Sequence, residues 1–279
     1  MDKYYSLVLV NVGIKVNEFA FNDSIKIKKL TDKSSLLSIN HRLGGDTYEG
    51  SPLLIYRAFQ LALSNINIII KRDKENEDEF LYNYFKSSGS ELMNYYASKD
   101  LETVTRSGES ILNKDDLERI KDVHSIVVEY NRTHGDYKVR GNWKPTRWSY
   151  ANEQYLSACR AMTIDQGVLS LITGLESLLV KGEGLLKFKV SLYASIILED
   201  TIEKRRLINK QVNFMYNLRS KIVHGEIENV VKITSKPEIF DRYFELKDIL
   251  GRLLIKTYGI EETDLFNRLD EILYEVPKF

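Results

Sequence analysis

From about Arg147 to the end of the chain, apolar residues return with the 3.6-residue period of a helix, and this recurrence constrains the fold more than any other feature. Val168, Leu171, Ile172, Leu175, Leu178 and Leu179 make one stripe, which Gly182-Glu183-Gly184 stops. Phe188, Leu192, Ala194, Ser195 and Leu198 predict a second helix ending near Asp200, and Ile208, Val212, Met215, Leu218 and Ile222 a third. After Lys236-Pro237, the positions Ile239, Tyr243, Leu246, Ile249, Leu250, Leu253 and Leu254 predict a fourth, with Gly259 beyond it and a tail helix around Asp264 to Tyr274. Four such stripes on short connections bury one another as a bundle.

The opposite end of the chain reads differently. Tyr4 to Val12 is rich in β-branched and aromatic residues, while Glu18–Phe21 and Ile25–Lys29 alternate about an Asn22-Asp23-Ser24 turn, all strand signals. Gly44-Gly45-Asp46 predicts a turn, and Pro52 opens a segment, Leu53 to Ile70, that reads as a helix running into a strand at Ile66–Ile70. The charged run Lys71 to Glu79 reads as a solvated loop. Asn113 is then a cap with acidic residues in the turn after it, followed by the stripe Leu117, Ile120, Val123, His124 and Val127 and a break over Gly135 to Pro145. The expected class is α+β: a mixed or β-rich domain over 1–112, then an all-α helical domain over 113–279.

Charge narrows the function. Forty basic and forty acidic side chains cancel, so a polyanion would have to find a local patch. Thr201 to Lys236 offers one, with eight Lys/Arg against three Glu; the competing reading is a solvated helix face. The single cysteine, Cys159, excludes an intrachain disulfide and fits a reducing compartment; in an apolar helical stretch it reads as a small buried hydrophobe. No leader peptide and no apolar run long enough to span a membrane is visible, so the expected location is cytoplasmic, without membrane contact. No Cys/His or Asp/Glu set has metal-ligand spacing and no phosphate-binding glycine loop occurs; neither metal nor cofactor is expected. Arg140, Trp143, Lys144, Arg147 and Trp148 form a basic-aromatic cluster that reads either as a base-stacking surface or as buried aromatics near a domain junction. His124 reads as a core residue, and His41 and His134 as loop residues.

The third stripe ends in Met215-Tyr-Asn-Leu-Arg219-Ser-Lys-Ile-Val-His224-Gly225. Upstream stands Gly174-Leu-Glu-Ser-Leu-Leu-Val-Lys-Gly-Glu-Gly184, followed by a second amphipathic run. Together, from about Leu117 to Tyr258, these resemble the Apea-like branch of the HEPN domains, helical domains with an R-x4-6-H motif, many of them ribonucleases. The resemblance implies a metal-independent endoribonuclease with Arg219 and His224 as the catalytic pair. Histidine suits proton transfer at neutral pH, with an unperturbed pKa of about 6.5. Arginine is always charged, and its planar fork matches two phosphate oxygens. Asn217, Ser220 and Lys221 are candidate contacts to RNA.

Residues five apart on a regular helix are turned by about 140°, so Arg219 and His224 do not share a face. A breaker at Gly225 loosens the last turn, and HEPN domains pair through this helix, which implies a homodimer with a composite site. Single-stranded or tRNA-loop RNA, a toxin or anti-phage role, and an activator or antitoxin partner follow from the same resemblance. The competing reading makes Arg219 an ion-pair partner of Glu176 and His224 a helix-end residue, in a non-catalytic module that dimerises or binds RNA or protein. A purely structural helical protein ranks last, since it leaves the basic excess without a role.

Overall fold

A computed structural model describes residues 4–9, 12–40, 52–63, 70–72, 110–134, 146–159, 161, 163–182 and 184–274. The chain is α+β, and its contacts divide it into two compact units, Met1–Trp143 and Lys144–Phe279.

In the first unit, β1 (Tyr4–Leu9), β3 (Glu18–Ala20), β4 (Ile25–Lys29), β5 (Ser35–Asn40) and β6 (Ile70–Arg72) form a sheet in the order β3-β4-β5-β1-β6. Alternation drives it: Ile25 and Ile27 of β4 are buried while Lys26 and Lys28 face water. The β3–β4 turn closes as the sequence implies, the Asn22 Oδ1 accepting from the N–H groups of Ser24 and Ile25, each at 2.8 Å. The expected single strand over Tyr4 to Val12 is instead two elements in two sheets. β1 runs antiparallel to β5, whereas β2 (Val12–Ile14) pairs in parallel with β7 (Ser110–Leu112). At Gly13 a Cβ would come within 2.0 Å of the Asp32 carbonyl oxygen, so only glycine permits that approach.

Helix α1 (Pro52–Ala62) packs against α2 (Lys114–His134). The start of α2 is a reciprocal cap: Asn113 Oδ1 accepts from Asp116 N–H at 3.0 Å, and the Asp116 carboxylate accepts from Asn113 N–H at 2.8 Å. Leu117, Ile120, Val123, His124 and Val127 are buried, as their spacing implies, and His134 closes the helix rather than lying in a loop. The helix expected to open the second region thus belongs to the first unit. His41, the Gly44-Gly45-Asp46 turn and the Gly135–Pro145 break lie outside the described residues, as do most of the Ile66–Ile70 strand and of the charged run from Lys71 to Glu79.

The second unit is helical: α3 (Arg147–Cys159), α4 (Ile164–Leu179), α5 (Leu186–Leu198), α6 (Ile202–Val223), α7 (Ile227–Thr234), α8 (Glu238–Thr257) and α9 (Glu262–Tyr274). Helix α8 touches α3, α4, α5 and α6, and Leu246, Leu250, Leu253 and Leu254 lie at its buried face. Close passage of α4 depends on two glycines: a Cβ at Gly167 would meet the Tyr243 ring at 2.5 Å, and one at Gly174 would meet Leu250 at 2.7 Å. Arg147 donates to the carbonyls of Ser177 (3.1 Å) and Val180 (2.6 Å) and to Glu262 (3.0 Å). Trp148 donates to the Leu254 carbonyl at 2.9 Å and packs edge-on to Tyr258. These two members of the basic-aromatic cluster therefore tie helices together; Arg140, Trp143 and Lys144 lie outside the described residues. Cys159 is half-buried at the end of α3. No described helix is long and apolar enough to cross a membrane.

Candidate functional site at the C-terminal end of helix α6

Helix α6 starts where Thr201 caps it, its hydroxyl accepting from Lys204 N–H, and buries Gln211, Val212, Met215, Tyr216 and Leu218. Its end is fixed by backbone chemistry. Gly225 sits at φ +69°, its N–H bonds the Ile222 carbonyl at 3.2 Å, and Glu226 N–H bonds the Lys221 carbonyl at 3.0 Å. That is the paired closure of a Schellman motif, and it makes His224 the C-cap, its N–H bonded to the Ser220 carbonyl at 3.0 Å. The His224 side chain is exposed, and no hydrogen bond or ion pair holds its imidazole among the described residues.

Arg219 points elsewhere. One of its terminal nitrogens lies 3.5 Å from a carboxylate oxygen of Glu176 on α4, with the side chains 28% and 19% exposed. The other Glu176 oxygen accepts from the Tyr216 hydroxyl, and the guanidinium carbon stands 5.8 Å from the Tyr216 ring centre. Burial, reinforced by the Glu176 carboxylate, pushes the Tyr216 phenol up to about 12, against the opposing charge of Arg219. Tyr216 therefore remains a donor, and Glu176 receives both a phenol and a cation. Arg219 Nε is buried without a hydrogen-bond partner among the described residues.

Arg219 and His224 are not bonded to one another, so the arrangement within one protomer keeps the turn expected from their spacing. The Arg219–Glu176 pair is the one the structural alternative requires, and its Nε is also what an anion site would leave open. Two of the three flanking candidates are engaged. Asn217 accepts from Lys187 Nζ at 2.8 Å, and Lys221 pairs with Glu226 at 2.8 Å. Glu226 also accepts from Asn229 at 2.8 Å, and Lys221 first, then Asn229, holds its carboxyl below the ordinary range. Ser220 is half-buried. Tyr216, Lys187 and Glu226 were not among the candidates; Tyr216, three residues before Arg219, carries the one readable signal, a shared helix face.

Val223, Ile227 and Val231, spaced by four, are 55%, 73% and 58% exposed. Among the described residues no group of three or more His, Cys, Asp or Glu is placed to hold a metal ion. No family model, curated protein or solved structure matches this chain.

Proposed function

We propose that this chain is a metal-independent endoribonuclease of HEPN type, acting as a homodimer whose α6 ends build one composite cleft. The reading is carried by Arg219: a guanidinium fixed on one side by Glu176, with a buried and unpartnered Nε, five residues before an exposed histidine. The Arg219 side chain is 28% exposed, and a phosphate oxygen is the ligand that a guanidinium matches.

In the proposed reaction, His224 takes the proton from a ribose 2′-hydroxyl. The O2′–P bond forms, the P–O5′ bond breaks, and the partner subunit's His224 protonates the departing 5′ oxygen. The products are a 2′,3′-cyclic phosphate and a 5′-hydroxyl. Arg219 stabilises the charge that builds on the phosphoryl oxygens. Pairing supplies both the second proton-transfer group and a cover for the Val223, Ile227 and Val231 strip.

Mixed dimers test the composite site. Arg219→Ala and His224→Ala proteins should each be inactive alone, and wild-type chains refolded with excess His224→Ala chains should lose cleavage, since a mixed pair keeps only one of the two histidines the cleft uses. Either single variant cutting RNA at the wild-type rate overturns the reading. The second reading, a binding or dimerisation module without catalysis, is favoured by the Arg219–Glu176 ion pair alone and requires stoichiometric RNA or protein binding without products.

A further inference from the structure

We propose that the groove between the start of α5 and the middle of α6 receives a base of the single-stranded RNA substrate; the inference rests on the nuclease reading above. The groove has a volume of about 370 Å³, walled by Leu185, Leu186, Lys187 and Phe188 on one side and by Asn209 and Asn213 on the other. That lies in the range of small-molecule sites. Its apolar wall stands in water: Leu185 is 73% and Phe188 54% exposed. Leu185 is the one described non-glycine residue with positive φ, at 53°, so the backbone adopts a disfavoured conformation where the wall begins.

The polar wall is Asn209 and Asn213, one helical turn apart, and Asn217 continues the row beyond the groove. Internal bonds orient it. Asn209 Nδ2 donates to Ser191 Oγ at 3.2 Å, Asn213 Nδ2 donates to Asn209 Oδ1 at 2.8 Å, and Lys187 Nζ donates to Asn217 Oδ1 at 2.8 Å. Asn213 Oδ1 has no partner among the described residues, so the wall offers an acceptor to the amino or imino group of a base, whose face stacks on an aromatic ring such as Phe188.

Charge selects the occupant. Lys187 lines the groove on α5, which carries no acidic residue, and α6 holds Lys204, Arg205, Arg206 and Lys210 against Glu203, besides Arg219 and Lys221, which pair with Glu176 and Glu226. A polynucleotide neutralises this charge. Asn217 and His224 are two turns apart, about 10 Å along the axis and within about 20° of one face. A strand with a phosphate at His224 therefore reaches the groove within a few nucleotides.

The test uses full-length His224→Ala protein, which binds without cutting, and a fluorescently labelled single-stranded RNA 12-mer of mixed sequence, followed by anisotropy. Adding Phe188→Ala or Asn213→Ala should weaken binding about ten-fold each, with unchanged melting temperature. Phe188→Trp should retain binding, and its emission should be quenched by the RNA. If the RNA binds His224→Ala and neither groove substitution weakens it, the groove proposal falls while the nuclease reading stands. If the substitutions instead convert a dimer to a monomer in sedimentation, the surface belongs to a second copy and the proposal falls. If His224→Ala protein binds no RNA, the groove proposal also falls, and wild-type cleavage in EDTA decides the nuclease reading separately.

Discussion

Two arginine–carboxylate pairs in the helical unit look alike in sequence and differ in structure. Arg252 on α8 meets Glu199 at 2.6 Å, the Leu198 carbonyl at 3.4 Å and Asp248 at 3.7 Å, and it draws the Glu199 carboxyl below its ordinary range. It ties α8 to the α5 C-terminus, where Lys256 also donates to the Leu198 carbonyl at 3.3 Å. Among the described residues Arg219 has one carboxylate contact, at 3.5 Å, and a buried Nε with no partner. The burial of the two is similar, with side chains 31% and 28% exposed, so exposure does not separate them. Completeness of bonding does. Arg252, held by two carboxylates and a carbonyl, is a clamp; Arg219, with a single carboxylate contact, is the one the proposed function assigns to a ligand.

Exchanging the two roles by mutation gives the largest expected effect. Arg219→Ala should lower RNA cleavage by about 100-fold or more while changing unfolding free energy by less than about 1 kcal/mol. Arg252→Ala should do the reverse, losing about 1–3 kcal/mol in urea titration with cleavage retained once the protein is folded. Equal losses of stability in both variants, with activity tracking stability, would erase the distinction.

Next comes the packing beneath Glu176. Gly167→Ala places a methyl against the Tyr243 ring, whose hydroxyl bonds the Ala158 carbonyl at 2.8 Å. It should cost about 1–3 kcal/mol and reduce activity as well, since α4 carries the carboxylate that orients Arg219.

A third cation sharpens the contrast from the other side. Lys247 is 1% exposed, with Nζ 5.5 Å from the Phe244 ring centre, and burial lowers its pKa. A base with a lowered folded-state pKa is most unfavourable to folding while protonated in both states. Stability should therefore rise as pH climbs from the folded-state value towards that of the unfolded chain. Lys247→Met should flatten that rise in a series of melts between neutral and alkaline pH.

The smallest effect is expected at Gly225. A Cβ there meets nothing within 4 Å, so Gly225→Ala pays only for φ +69°, about 1 kcal/mol. A larger loss in thermal denaturation would mean that the turn after His224 has contacts beyond its own backbone.

What could be read from the sequence follows the range of the interactions. Local chemistry was legible: the Asn113 cap, the Gly225 breaker and most of the buried stripes depend on neighbours within a turn or two, although α4 ends at Leu179, ahead of Gly182 and Gly184, and Phe188 of the second stripe is 54% exposed. The division of Tyr4 to Val12 between two sheets was not, because both pieces are apolar and only distant partners, β5 and β7, distinguish them. For the same reason α2 read as part of the helical region: its stripe is helical, but its partner is α1. Helix α7 was missed because its eight residues bury only Val230, too little periodicity to detect. At the site, Glu176 was visible as an alternative partner of Arg219, whereas the short count of bonds around Arg219 and the order of the amide row require coordinates.

The most direct measurement is cleavage of total RNA and purified tRNA in excess EDTA by wild-type protein and by His224→Ala, with analysis of the product ends. The account predicts fragments ending in 2′,3′-cyclic phosphate and 5′-hydroxyl from the wild type and none from His224→Ala. Intact RNA with the wild type, or equal cleavage by both proteins, would contradict it.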